Sequence, residues 1–195
     1  MMDAAARFGP LGRPYKLLHG VPTAASELAG TLRRLGWVSV ETASIALVVD
    51  IPWGSAFQTL RTDGARGAVV VTDNPCPEYW EDLWQQHPAA LLAGGCSVAE
   101  MAGALGRAYA GETFRRTPSQ ESRLTASERR LLQLTALGLE NKRIARELHV
   151  TEGTVKNGLG RVYLKLGLTN RTQLALYYWG LWVWLEGFSI QPSVP

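Results

Sequence analysis

Residues 124–175 read LTASERRLLQLTALGLENKRIARELHVTEGTVKNGLGRVYLKLGLTNRTQLA, and the pattern is helical throughout. Thr125-Ala-Ser-Glu128 has the form of a capping box, in which a hydroxyl and a carboxylate satisfy the N–H groups that the first helical turn leaves unbonded. That helix should close near Leu137-Gly138, where glycine can adopt the left-handed conformation of a helix end. Asn141 is expected to cap a second helix that buries Ile144, Ala145 and Leu148. His149-Val150 then turns the chain, and Thr151 caps a third helix whose inner stripe is Val155, Leu159, Val162 and Leu166, spaced by 4, 3 and 4 residues. Such a stripe on a 3.6-residue period buries one helix face, and the whole reads as helix, turn, helix.

On a wheel of about 100° per residue the third helix sets Gly153, Asn157 and Gly160 opposite its apolar stripe, with Lys156 and Arg161 on the flanks. A helix of this kind fits the major groove of DNA. Asn157 can present a paired donor and acceptor to adenine, Lys156 can reach guanine, and Arg161 and Lys165 can meet phosphate. Helix N-terminal N–H groups near Asn141 and Thr151 would add phosphate contacts, helped by Lys142 and Thr154. The expected DNA-binding set is therefore Asn141, Lys142, Thr151, Thr154, Lys156, Asn157, Gly160, Arg161 and Lys165.

These residues carry a resemblance. Leu124-Thr125 with Glu128, Gly138-Leu139, Asn141-Lys142 with Ile144-Ala145, Glu152-Gly-Thr-Val-Lys156, Lys165-Leu-Gly167 and Asn170-Arg-Thr172 make the segment similar to the LuxR-type helix-turn-helix of NarL/FixJ-class regulators. The resemblance implies that the helix from Thr151 to Leu166 is the recognition helix and that the helix after Asn170 supports a homodimer. Three positions depart from the family pattern: Gly158 replaces a usual histidine, Gly160 a usual polar or basic residue, and Leu164 a common cation. The interior glycines predict a soft recognition helix, or one whose backbone approaches the groove closely, since each costs a helix about 1 kcal/mol relative to alanine.

Charge separates the chain into halves. Up to Phe114 there are 8 Lys/Arg against 11 Asp/Glu, a net of −3, while from Arg115 there are 12 against 6, a net of +6. The basic end is where a polyanion would be held. Only Cys76 and Cys96 are present, without the spacing of a zinc site or a disulfide framework. No secretory leader is evident, and the most apolar run, Leu174 to Leu185, falls short of the ~20 residues of a membrane span. A cytoplasmic protein is expected, with no metal, no cofactor and no enzymatic constellation; His19 and His87 have no evident catalytic companions.

From Tyr15 to Ala110 short β-branched runs alternate with helical patterns, which predicts an α/β domain with a parallel five-stranded sheet. Strands are expected near Lys16–His19, Val38–Glu41, Ile45–Asp50, Ala68–Thr72 and Ala89–Leu92, and helices over Ala24–Leu35 and Val98–Ala110, the latter capped by Ser97. The stretch from Glu41 to Ile45 leaves no room for a helix. The organisation is then a flexible arm (1–14), the α/β domain (15–110), a polar linker (111–123) and the helical domain (124–188). The last of these has an aromatic extension, and its Trp179, Trp182 and Trp184 suggest a protein partner, either a second subunit or the chain's own N-terminal domain.

Placed before such a helical unit, the α/β domain resembles the phosphoacceptor receiver domain of two-component response regulators, in a degenerate form. Asp50 stands where that family has its phosphoacceptor and Thr72 where it has its switch hydroxyl. The acidic pair expected after the first strand is replaced by His19-Gly-Val-Pro22, and the fifth strand leads into Leu92-Ala-Gly-Gly95 without a lysine. Phosphoryl transfer requires the metal and the cation to neutralise developing charge. The resemblance therefore implies a domain that signals without the standard phosphorylation cycle, with Asp50 either a structural carboxylate or a phosphoacceptor.

Overall fold

The computed structural model describes residues 12–62, 64 and 66–181. The chain separates into two units. One runs from the described N-terminus to Asp73 and from Trp80 to Pro118; the other combines Asn74–Tyr79 with the chain from Ser119 onward.

Along the chain the elements up to Pro118 are β1 (Arg13–His19), α1 (Pro22–Arg34), β2 (Trp37–Ser39), β3 (Ala46–Val49), α2 (Ser55–Thr62), β4 (Ala68–Thr72), α3 (Pro77–Trp84), β5 (Ala90–Ala93), α4 (Val98–Tyr109) and β6 (Phe114–Arg116). The six strands form one sheet in the order β2-β1-β3-β4-β5-β6, and each neighbouring pair is parallel. Alternate residues Leu47, Val49, Val69, Val71 and Leu92 pack with Leu32 of α1 and with Met101, Ala104 and Leu105 of α4. The intervening Val48, Val70 and Leu91 are buried as well. Burial of both faces explains why these strands are continuous apolar runs rather than alternating ones.

Two expectations change here. The sheet has six strands, not five, because Phe114-Arg-Arg116 pairs with β5 inside the stretch read as linker. Its two arginines on a short edge strand give the composition of a loop. β1 likewise begins at Arg13, inside the stretch read as an arm. The direct passage from β2 to β3 without a helix is as expected, and Ser97 caps α4 in a capping box with Glu100.

The second unit contains α5 (Ala126–Ala136), α6 (Asn141–Glu147), α7 (Glu152–Leu166) and α8 (Arg171–Tyr178). Thr125 and Glu128 form the anticipated capping box, Thr151 caps α7 by accepting from the Thr154 N–H, and Asn170 caps α8. Asn141 does not cap α6. It is the first helical residue, and the N-cap is Glu140, whose side chain makes no capping bond. The core joins Leu132, Ile144, Val155, Val162 and Leu174. Gly138 and Gly167 close α5 and α7 at φ of 85° and 68°, the left-handed conformation that glycine adopts without strain. The Arg171 guanidinium donates to the carbonyls of Thr135, in the last turn of α5, and of Leu139 beyond it, adding a donor where helix-end carbonyls lack intrahelical partners.

The two glycines of α7 have different surroundings. Gly158 is buried, and a Cβ there would lie 2.4 Å from Leu131 Cδ1; around Gly160 nothing lies within 4 Å of that position. Gly158 therefore faces α5 rather than the outer surface, and its missing side chain is what lets Leu131 fill the space between the helices.

Replacing Thr125 by alanine should lower stability by about 1 kcal/mol through loss of the cap, read from thermal or urea unfolding. Gly160→Ala should raise stability by up to about 1 kcal/mol. Gly158→Ala should gain nothing or lose stability, because overpacking costs about 1–3 kcal/mol. Equal stabilisation by both alanines would show that the packing of Leu131 does not constrain α7.

Candidate functional site

The turn between α6 and α7 is made by His149 at φ 55°, a left-handed conformation uncommon outside glycine, and by the Val150 N–H, which donates to the Ala145 carbonyl at 2.9 Å. α7 then buries Val155, Gly158, Leu159 and Val162 and leaves Thr154, Lys156, Asn157, Arg161, Leu164 and Lys165 exposed. Lys156 and Asn157 lie together on the open side of the helix, and Lys142 is exposed at the start of α6. Asn141 is half-buried, as is Gly160. The hydroxyls of Thr151 and Thr154 are 2.9 Å apart, with Thr151 Oγ1 also accepting from the Thr154 N–H at 3.1 Å. These two side chains thus build the start of α7.

Glu128 organises the other end of that helix. Its Oε2 accepts from Lys165 Nζ at 2.6 Å and from the Thr125 N–H and hydroxyl at 2.9 and 3.0 Å, and its Oε1 lies 3.7 Å from Arg161 Nε. The hydrogen bond from Lys165, followed by those from Thr125, holds the carboxyl down at about 2, so it is ionised at neutral pH. The sequence marks Glu128 as a cap; its link to Lys165, 37 positions away, carries no local signal.

Asp50 follows β3 and is 1% exposed. Its Oδ1 accepts from the N–H groups of Gly54 and Ala56, both at 2.9 Å, and lies 3.5 Å from Ser55 Oγ. Its Oδ2 accepts from Thr72 Oγ1 at 2.7 Å. The carboxylate thus satisfies N–H groups at the start of α2 and clasps β4. Next to it, a Cβ on Gly20 would come within 2.0 Å of the Ile51 carbonyl oxygen and 2.9 Å of Pro52 Cδ, so the loops after β1 and β3 are in close contact. In open α/β sheets ligands bind at this point, where the strand order reverses. The Mg²⁺ of receiver domains does not fit. Hard cations need several oxygen donors, whereas the loop after β1 offers His19, whose Nδ1 accepts from the Val21 N–H. Among the described residues no three His, Cys, Asp or Glu side chains gather to hold a metal.

A second polar centre lies within the helical unit and carries no signal in the local sequence. Glu78, fully buried, accepts from Ser122 Oγ and Tyr177 Oη, each at 2.7 Å, and lies 3.4 Å from Cys76 Sγ. Burial pushes the Cys76 thiol and the Tyr177 hydroxyl up, with the Glu78 charge adding to both. Asn74 Nδ2 donates to the Tyr178 carbonyl at 3.1 Å. Trp179 packs edge-on against Tyr79 and Tyr178 and donates its indole N–H to the Ala136 carbonyl. Its ring thus packs inside the unit while remaining half-buried, and Trp182 and Trp184, named with it as a partner surface, lie outside the described residues.

With this geometry in view, residues 122–178 match the family described as bacterial regulatory proteins, luxR family. Over 118 residues the chain is 31% identical to YhjB of Escherichia coli (strain K12), named as an HTH-type transcriptional regulator, covering 55% of this chain and 59% of that protein. The chain therefore spans less than two thirds of YhjB. Over 184 residues it is 29% identical to the uncharacterized transcriptional regulatory protein YvfU of Bacillus subtilis (strain 168), covering 89% of this chain and 92% of that one. A solved structure of RcsB dimers bound to DNA shares the fold with a TM-score of 0.54 at 17% identity, over 85% of this chain and 97% of that one. Thr125–Glu128, the α6–turn–α7 arrangement and the left-handed Gly167 all fall inside the matched segment: residues 122–178 are a helix-turn-helix domain of the luxR family.

Proposed function

We propose that this chain is a sequence-specific DNA-binding transcription regulator of the bacterial cytoplasm, acting as a dimer and not as an enzyme. The observation that carries this reading is the exposed pair Lys156 and Asn157 on a helix whose opposite side is locked into a luxR-family core. A major groove accepts such a helix, lysine reads guanine and asparagine reads adenine. Lys142 is suited to phosphate, Gly160 leaves the backbone uncovered, and Thr151 and Thr154 set the position of the first turn. Solved neighbours of the same fold include RcsB bound to DNA, and the relatives are named transcriptional regulators. A dimer would match two half-sites about one helical turn apart.

Selection of genomic fragments by the purified protein, followed by titration of a recovered site, tests the reading. Lys156→Ala and Asn157→Ala should each reduce discrimination between cognate and altered sites by about 1–3 kcal/mol for every specific base interaction removed. Binding by both variants that is as tight and as selective as wild type would refute the assignment of α7.

The α/β domain is proposed to signal without the standard phosphorylation cycle. Burial of Asp50 and the bonds to both its oxygens support this, since an attacking carboxylate must reach the phosphorus with a metal and a cation beside it. Incubation with a small phosphodonor and Mg²⁺ should leave Asp50 unmodified by mass spectrometry. A labile adduct of one phosphoryl group on Asp50 would reverse this part of the proposal.

A further inference from the structure

We infer that Glu128 limits the sequence-independent affinity of the recognition helix for DNA by withholding Lys165, and in part Arg161, from phosphate. The inference rests on the DNA-binding reading above. By sequence alone both cations belong to the DNA set, on the last two turns of α7. In the fold they converge on one carboxylate: Lys165 Nζ at 2.6 Å and Arg161 Nε at 3.7 Å.

The two cations differ in how firmly they are held. The Glu128 side chain is 7% exposed, and Lys165 and Arg161 are 38% and 62% exposed. If Lys165 turned to a phosphate, a nearly buried carboxylate would lose its close cation and keep the Thr125 donors with only the looser, largely exposed Arg161 opposite it. Stranding a buried charge in this way costs more than an exposed ion pair returns. Lys165 therefore stays with Glu128 on the free and the bound protein. Arg161 is looser. At 3.7 Å and largely in solvent, it is oriented by Glu128 rather than captured, and its remaining guanidinium nitrogens can still meet a backbone oxygen.

Sequence-independent binding comes from phosphate neutralisation, and its dependence on salt counts the cations involved, at about 0.9 in slope for each. A negative charge between two cations beside the reading face reduces that count without touching Lys156 or Asn157. The consequence is a protein held less strongly by DNA at large, where competing sites greatly outnumber the cognate one.

Glu128→Gln separates charge from architecture, because glutamine at this position of a capping box can still reach back to the Thr125 N–H. The measurement is a titration of the full chain with a random-sequence duplex across roughly a tenfold span of salt concentration. Glu128→Gln should steepen the log–log slope by about 0.9 for Lys165, and by up to about 1.8 if Arg161 is also freed. Across that span, the affinity of Glu128→Gln for the random duplex should fall by about eightfold more than that of wild type for each freed cation. Lys165→Ala added to Glu128→Gln should remove about 0.9 of the gained slope, whereas Lys165→Ala alone should leave the wild-type slope in place.

A folded Glu128→Gln protein with the wild-type slope overturns the inference, as does a flattening by about 0.9 on Lys165→Ala alone. The second arm decides the matter if Glu128→Gln fails to fold, which circular dichroism reports. Wild-type protein that binds no duplex at low salt overturns both this inference and the DNA-binding reading. A binding wild type with an unchanged Glu128→Gln slope overturns the inference only.

Discussion

The carboxylate of Glu128 ties the start of α5 to the end of α7. On one side it completes the Thr125 capping box, and on the other it receives Lys165. Its ionisation is secured by those same donors, so cap and cross-link are one interaction rather than two. The orientation of α7 against α5 follows from that link together with the packing of Leu131 on Gly158. The exposure of Lys156 and Asn157 follows in turn, because the turns of α7 that face α5 are already engaged.

Asp50 shows the same residue chemistry in another use. A carboxylate after the third strand of a parallel sheet can serve as a nucleophile or as an acceptor for the next helix. Here the Gly54 and Ala56 N–H groups and the Thr72 hydroxyl bind it. The loop that carries it lies against Gly20. A residue at a familiar position therefore reports little about reactivity until its partners are known.

What could be read from the sequence was what is local. The Thr125, Thr151 and Ser97 caps, the Val155–Leu159–Val162 stripe and the Gly138 helix end each depend on neighbours within about a turn, and all stand in the structure. Asn141 failed as a cap because Glu140 supplies the extended residue one position earlier. β6 was hidden by its charge and its length of 3 residues; only its pairing with β5 makes it a strand. Gly158 was marked in the sequence only as a departure from the family pattern; its packing against Leu131 depends on the approach of a second helix, which a wheel does not resolve. The bonds of Glu78 to Ser122 and Tyr177 span 44 and 99 positions, and nothing in either local pattern announces them. Of the candidate site, the face of α7 was legible, but the pairing of Lys165 with Glu128 was not.

The helical unit is discontinuous in sequence, since Asn74–Tyr79 belongs to it. Glu78 and Asn74 there provide the partners of Tyr177, Ser122 and the Tyr178 carbonyl, and the Tyr79 ring covers Tyr178 and Trp179. A fragment cut at the linker would leave these groups without their buried company, and such groups are costly to expose or strand. Recombination that exchanged the C-terminal segment between related genes would meet the same difficulty, unless residues 74–79 travelled with it or the recipient supplied equivalents. Modularity in this chain is thus a property of its folded contacts, not of its reading order.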